Sequence, residues 1–174
     1  RSKDSFSYSK AKKAINERLR INYFYYLREW PYKNVKPRII VEELLYQDNS
    51  EEKTLLDYKF FCFCGEPKLV AIVQRRNRKT ESCIYDINHN RLDVRIGDRN
   101  FTDTTKKPAQ WGVMIELAKK LSCGMKHVRV DFFCTENKVY FAELTFYNWG
   151  GIAIIDPIEW DEKMGEWIDI ERHT

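Results

Sequence analysis

The sequence predicts an α+β fold, an antiparallel sheet with helices mainly on one face. Three observations carry this. The stretches 56–73 and 127–147 are rich in Val, Phe, Tyr and Cys, and each folds back on itself through a short turn. The stretch 108–121 repeats apolar residues at helical spacing, and so does 9–27. There is no internal repeat and no low-complexity linker, so 174 residues fit one domain, 1–174, with 43% hydrophobic content to build a core.

The first helix runs from Ser9, read as its cap, to about Leu27. Ala11, Ile15, Leu19 and Tyr23 share its apolar stripe, although Asn22–Tyr26 would also suit a strand. Its aromatics either pack on the sheet, the preferred reading, or stack bases. Pro31 and Pro37 end the element, and Arg38–Leu45 follows as a strand that closes on the acids Glu42 and Glu43. Gln47–Lys53 is a polar loop. Leu56–Cys64 and Lys68–Val73 make a hairpin around Gly65-Glu66-Pro67. Asp57, Lys59, Phe61 and Phe63 share one of its faces, and Tyr58, Phe60, Cys62 and Cys64 the other. Arg75–Lys79 is the densest positive cluster, either a solvated loop or a grip on an anionic sugar or phosphate. Ser82–Ile87 and Asp93–Ile96 read as short strands, with His89 on the surface between them. Pro108–Leu121 is the clearest helix, its apolar face led by Trp111, Ile115, Ala118 and Leu121 and its end marked by Gly124. Asn148–Gly151 is a loop. Asp156 then caps a last helix with Pro157 in its first turn, and Trp160, Met164 and Trp167 face inward.

The chemistry concentrates in His127–Tyr147. Even positions Val128, Val130, Phe132, Cys134, Tyr140, Ala142, Leu144 and Phe146 read as a core face. Odd positions put Arg129, Asp131, Glu143 and Thr145 on the other face of an otherwise apolar hairpin. A three-residue loop Glu136-Asn137-Lys138, with Asn137 at positive φ, pairs Phe133 with Phe141, Asp131 with Glu143 and Arg129 with Thr145. Two carboxylates directly opposite destabilise a sheet unless a cation sits between them. That cation is either Mg²⁺, which takes a few carboxylates together with phosphate oxygens, or Arg129 itself in a hairpin without a ligand.

The totals exclude several classes. A net charge of +4 is too small to argue for nucleic acid, and no run reaches the length of a membrane span. The five cysteines include no C-x-x-C, which favours buried, reduced thiols over disulfides or zinc and a cytoplasmic chain. The first residue is Arg, not Met, so a piece of a longer protein is expected.

R-V-D-F-F, a short turn, then V-Y-F-A-E-L-T-F-Y resembles the metal-binding strand pair of ATP-grasp enzymes, closest to the TupA-like branch of bacterial surface-polysaccharide biosynthesis. The resemblance extends through Arg28–Leu45 and Asp57–Lys68. It implies ATP and Mg²⁺ as cofactors, with Asp131, Glu143 and Thr145 on the metal and Glu42 or Glu43 at the adenine hinge. It likewise implies Asp57 on the ribose, Lys59 on phosphate, and Lys59 and Arg129 as catalytic cations. The implied reaction joins a carboxylate to an amine through an acyl phosphate, on a uronic-acid-containing polysaccharide or its precursor, beside polysaccharide-assembly enzymes such as glycosyltransferases. The alternatives are a module that binds anionic glycan or nucleic acid, an inactive scaffold, or a kinase on the same frame. The seven glycines form no Gly-rich phosphate loop, so the subdomain that carries it is expected upstream. Thr145 stands where the family commonly has Asn.

Overall fold

A computed structural model describes residues 7–43, 45, 55–76, 79–97 and 105–170. The chain divides into two compact units, 1–44 and 45–174. In the first lie α1 (Tyr8–Leu19), α2 (Phe24–Leu27) and a 3-10 turn at Trp30–Tyr32. The helix expected from Ser9 to Leu27 is therefore two helices, and its cap is Ser7, whose hydroxyl accepts from the Lys10 amide. Asn22 explains the break, since its side chain accepts from the Phe24 amide and donates to the Lys33 carbonyl. A side chain that bonds nearby backbone in this way competes with helix propagation. Around α2, Tyr23 meets Tyr32 edge-on at 5.5 Å, and Lys33 lies 4.6 Å from the Trp30 ring centre.

Among the described residues of Arg38–Leu45 the expected strand does not form. Residues 38–43 have no regular structure and pair with none of the described strands, and Val41 is 91% exposed. β-propensity alone does not make a strand without a partner edge to complete its hydrogen bonds. The polar loop Gln47–Lys53 lies outside the described residues.

The second unit contains β1 (Asp57–Phe63), β2 (Glu66–Arg76), β3 (Lys79–Asp86), β4 (Arg95–Ile96) and α3 (Trp111–Ser122). These are followed by β5 (His127–Cys134), β6 (Val139–Thr145), a 3-10 turn at Asn148–Gly151, β7 (Ile155–Asp156) and α4 (Glu159–Glu166). The fold is α+β. Five strands form one antiparallel sheet in the order β3-β2-β1-β5-β6, and β4 pairs with β7 separately.

Alternation along the central strands builds two cores. Tyr58, Phe60 and Cys62 of β1 and Val128, Val130 and Phe132 of β5 bury against Trp111, Met114 and Ala118 of α3. Phe61 and Phe63 of β1 point the other way and join Leu69, Val73 and Ile84, with Trp160 and Met164 of α4 and Trp167 just after it packed on them. One helix therefore covers each face.

Turns differ from expectation where local chemistry decides. The β1–β2 turn is Cys64-Gly65, both at positive φ (49° and 82°), which leaves Glu66 and Pro67 inside β2. Arg75 and Arg76 end β2 and Lys79 opens β3, while residues 77–78 of that basic cluster lie outside the described residues. Asp156 does not cap α4: it pairs with Arg95 across β4 and β7 at 3.1 Å, and Ile158 precedes the helix.

Phe60 is fully buried, with ring centres of Trp111 and Phe132 at 5.6 and 5.7 Å. Phe60→Ala should cost about 3–5 kcal/mol, the usual penalty for an emptied aromatic site, read from urea unfolding curves.

Candidate active site

The charged residues are set by strand register. Lys59 of β1 lies opposite Asp131 of β5, and Asp131 lies opposite Glu143 of β6, so the three form a row across the sheet. In the next row Phe61 faces Arg129, and Arg129 faces Thr145. The expected pairs Asp131–Glu143 and Arg129–Thr145 are thus present, but Phe133 faces Tyr140 instead of Phe141. The hairpin closes through Thr135 and Lys138, with Thr135 N–H donating to the Lys138 carbonyl at 2.9 Å, and Asn137 is not among the positive-φ residues. A β-bulge between Asp131 and Phe132 absorbs the difference. Since a bulge adds one residue to one strand, it switches face on one side and restores the expected register on the other. It accordingly brings Val139, not Tyr140, onto the α3 core.

Asp131 has no exposed surface, and Arg129 is 8% exposed. Arg129 grips Asp131 with a fork, Nε to Oδ1 at 2.8 Å and Nη2 to Oδ2 at 2.8 Å. Nη2 also reaches Glu143 Oε1 at 3.0 Å and Thr145 Oγ1 at 2.9 Å, while Nη1 donates to the side-chain oxygen of Asn148. The Thr145 hydroxyl donates to Glu143 Oε1 at 2.6 Å. From the other side Lys59 Nζ contacts Asp131 Oδ2 at 2.5 Å and Asp57 Oδ2 at 2.9 Å. Two cations thus face three carboxylates, and the cluster carries one net negative charge.

Burial pushes the Asp57 carboxyl above its usual range, against the lowering pull of Lys59, and its Oδ1 is buried without a hydrogen-bond partner. Burial also works against the Arg129 guanidinium, but Asp131, Glu143 and Asp57 outweigh it and raise its pKa further.

Asp57, Lys59, Arg129, Asp131, Glu143 and Thr145 are therefore brought together. Glu42 and Glu43 belong to the first unit and are exposed in an irregular stretch. Arg75 is exposed; the register puts it on the same sheet face, two residues beyond Val73, which pairs with Asp57. Asn148 escaped sequence reasoning, and its only signal was a polar amide directly after the acid-bearing strand.

Among the described residues no three His, Cys, Asp or Glu side chains converge as a metal site. The predicted metal set instead joins two carboxylates and a hydroxyl, an all-oxygen donor group of the kind hard cations take. Its three oxygens all lie within 3.0 Å of one atom, Arg129 Nη2. The donor chemistry fits Mg²⁺.

A family model described as TupA-like ATPgrasp matches residues 1–169. No curated protein and no solved structure matches the chain.

Two predictions follow from the burial contrast. Asp131→Asn leaves Arg129 buried against a neutral group and should cost about 3–5 kcal/mol in chemical denaturation, the usual result of breaking a buried pair. Glu143→Gln, with a side chain 58% exposed, should stay within about 0.5 kcal/mol of the parent. The raised Asp57 pKa means the folded chain holds this proton to higher pH than the unfolded chain. That group's contribution is most favourable below the unfolded pKa and declines as pH rises through the folded value. Asp57→Asn should therefore gain stability over the parent as pH climbs from about 3 to about 7 in urea titrations, and a widening loss would contradict the assignment.

Proposed function

The chain belongs to the TupA-like ATP-grasp family, and on that premise we propose that it is an ATP- and Mg²⁺-dependent carboxylate–amine ligase. Family membership suggests ATP-grasp ligase-type chemistry; the substrate and the reaction course are our reading. The observation that carries it is the buried convergence of Lys59 and Arg129 on Asp131, beside an Asp57 oxygen that lacks a partner. Structural ion pairs rarely leave a buried carboxylate oxygen unused, and such an oxygen is ready to accept a ligand hydroxyl.

In this reading Asp57 accepts hydrogen bonds from the ribose hydroxyls of ATP. Lys59 rides on the same strand two residues away and extends from Asp57 toward the phosphates. Glu42 and Glu43 serve the adenine hinge. Asp131, Glu143 and Thr145 would hold Mg²⁺, which when bound offsets charge on the nucleotide phosphates. Arg129 and Lys59 present positive charge to the transferring phosphoryl group and to the acyl phosphate, in a site already dehydrated by burial. The carboxylate oxygen attacks the γ-phosphorus and ADP leaves. The amine then attacks the carbonyl carbon and inorganic phosphate leaves, giving the amide.

The carboxylate is assigned to a uronic-acid unit of a surface polysaccharide or its lipid-linked precursor, and the amine to an amino acid. Arg75 and its basic neighbours suit an anionic acceptor of this kind. The work would be done in the cytoplasm, where ATP is supplied, at the inner membrane face and beside the glycosyltransferases that assemble the polymer. No helix among the described residues is long and apolar enough to cross a membrane. The second reading is a non-catalytic anion-binding module, and the observation that favours it is the neutralisation of both hairpin acids by Arg129.

The test is chemical trapping with the full-length protein. Given ATP, Mg²⁺ and a carboxylated sugar, it should release ADP and phosphate, and hydroxylamine should capture the activated carboxylate as a hydroxamate. Lys59→Ala should reduce that product by about 100-fold or more, the scale of losing one charge-stabilising donor. Phosphate transfer to a hydroxyl without hydroxamate would make the protein a kinase; no nucleotide turnover at all would favour the binding module.

A further inference from the structure

Arg129 Nη2 is asked to do more than its hydrogens allow. A guanidinium Nη carries two N–H groups. Three oxygens surround this one: Asp131 Oδ2 at 2.8 Å, Thr145 Oγ1 at 2.9 Å and Glu143 Oε1 at 3.0 Å. At least one contact must therefore be shared or misaligned. Three acceptors around one atom is the geometry of a pocket for a spherical cation, and these three oxygens are the set assigned to Mg²⁺ above.

We propose that Arg129 is an internal stand-in cation: its guanidinium occupies the metal position in the free protein and must withdraw for a divalent ion to enter. The proposal rests on the reading of Asp131, Glu143 and Thr145 as metal ligands. Mg²⁺ needs oxygens at about 2.0–2.1 Å. These three now stand at 2.8–3.0 Å around Nη2, so to bind a metal they would have to close in on the space that Nη2 fills, and the two are mutually exclusive. The exchange keeps Asp131 paired at every stage, because Lys59 stays on its Oδ2 while the guanidinium leaves. A carboxylate with no exposed surface is thus never left without a cation.

Asn148 is the positioning residue of this exchange. Its side-chain oxygen holds Nη1 from the 3-10 turn after β6, where Trp149 and Gly150 both have positive φ (51° and 61°). It therefore biases the guanidinium toward the pocket without touching the metal ligands. Once released, Arg129 is a free cation next to the site, available to the transferring phosphoryl group. Metal entry and arming of the arginine become one event.

The test is titration of the nucleotide-free protein with Mn²⁺ alone, followed by calorimetry and by the loss of free-ion EPR signal, with circular dichroism to verify folding. Arg129→Gln should bind Mn²⁺ roughly tenfold tighter than the parent, because the metal-competent state no longer has to be bought from an occupied one. Lys59→Gln removes a cation that touches one of the three pocket oxygens, Asp131 Oδ2, where Arg129 Nη2 touches all three, and its gain should be smaller. Asn148→Ala keeps every charge and should still tighten binding by about threefold or more, the lower end of what one ordinary intramolecular hydrogen bond is worth. It also serves if Arg129→Gln folds poorly, since general structural damage would weaken binding instead. Equal gains in Arg129→Gln and Lys59→Gln would reduce the effect to bulk charge and overturn the proposal. So would Mn²⁺ affinity in Asn148→Ala at or below that of the parent. Failure of the underlying metal reading has a separate signature: Glu143→Gln would bind Mn²⁺ as well as the parent does.

Discussion

Asp131 is wholly buried, so its charge must be answered from within the protein. Desolvating a carboxylate costs several kcal/mol, and a charge-assisted hydrogen bond returns about 1.5–3 kcal/mol. One partner would not suffice. Three bonds reach this carboxylate, two from the Arg129 fork and one from Lys59, and together they are of the right size. Neighbouring geometry follows from that demand. Lys59 is held between Asp131 and Asp57, Arg129 is drawn across β5 toward β6, and Glu143 and Thr145 find a common donor in Nη2.

The sheet makes such a cluster tolerable by dividing its two faces unequally. The α3 side is apolar along the length of β1 and β5. Along β1 the opposite side is apolar toward the Phe61–Phe63 end, where α4 packs, and charged from Lys59 to Asp57. The ions thus stand at the margin of a second core. That setting gives low dielectric on one side and, through a Glu143 side chain that is 58% exposed, access on the other. Low dielectric strengthens fixed charges, and an open rim admits ligands.

Register is what ties the two functions of the central strands together. Side-chain period in a strand is two, so a slip of one residue would send Glu143 to the α3 core and separate it from Asp131. The bulge between Asp131 and Phe132 lies at the boundary where this matters. On one side it keeps the acids opposed, and on the other it lets Val139 join the apolar core.

Much of this was legible in the amino-acid order. Alternation located the strands at 56–73 and 127–147, helical spacing located α3, and parity placed Asp57 with Lys59 on one face of the first hairpin and Arg129, Asp131, Glu143 and Thr145 on one face of the second, because these patterns are local consequences of backbone geometry. The pairing of β1 with β5 that joins the two sets came from the tertiary structure. The acid pairing was reached with the wrong loop, since a different turn and a bulge together yield the same register. What the sequence could not decide depended on partners distant along the chain. Residues 38–43 look like a strand but pair with none of the described strands, and Asp156 looks like a cap but is claimed by Arg95. Whether the charge between Asp131 and Glu143 is met by an arginine or left for a metal was equally undetermined, and so was the part of Asn148, which acts through a loop 19 residues from Arg129. Those outcomes are set by which groups folding brings within hydrogen-bonding distance and removes from water, a property of the assembled sheet and not of any single segment.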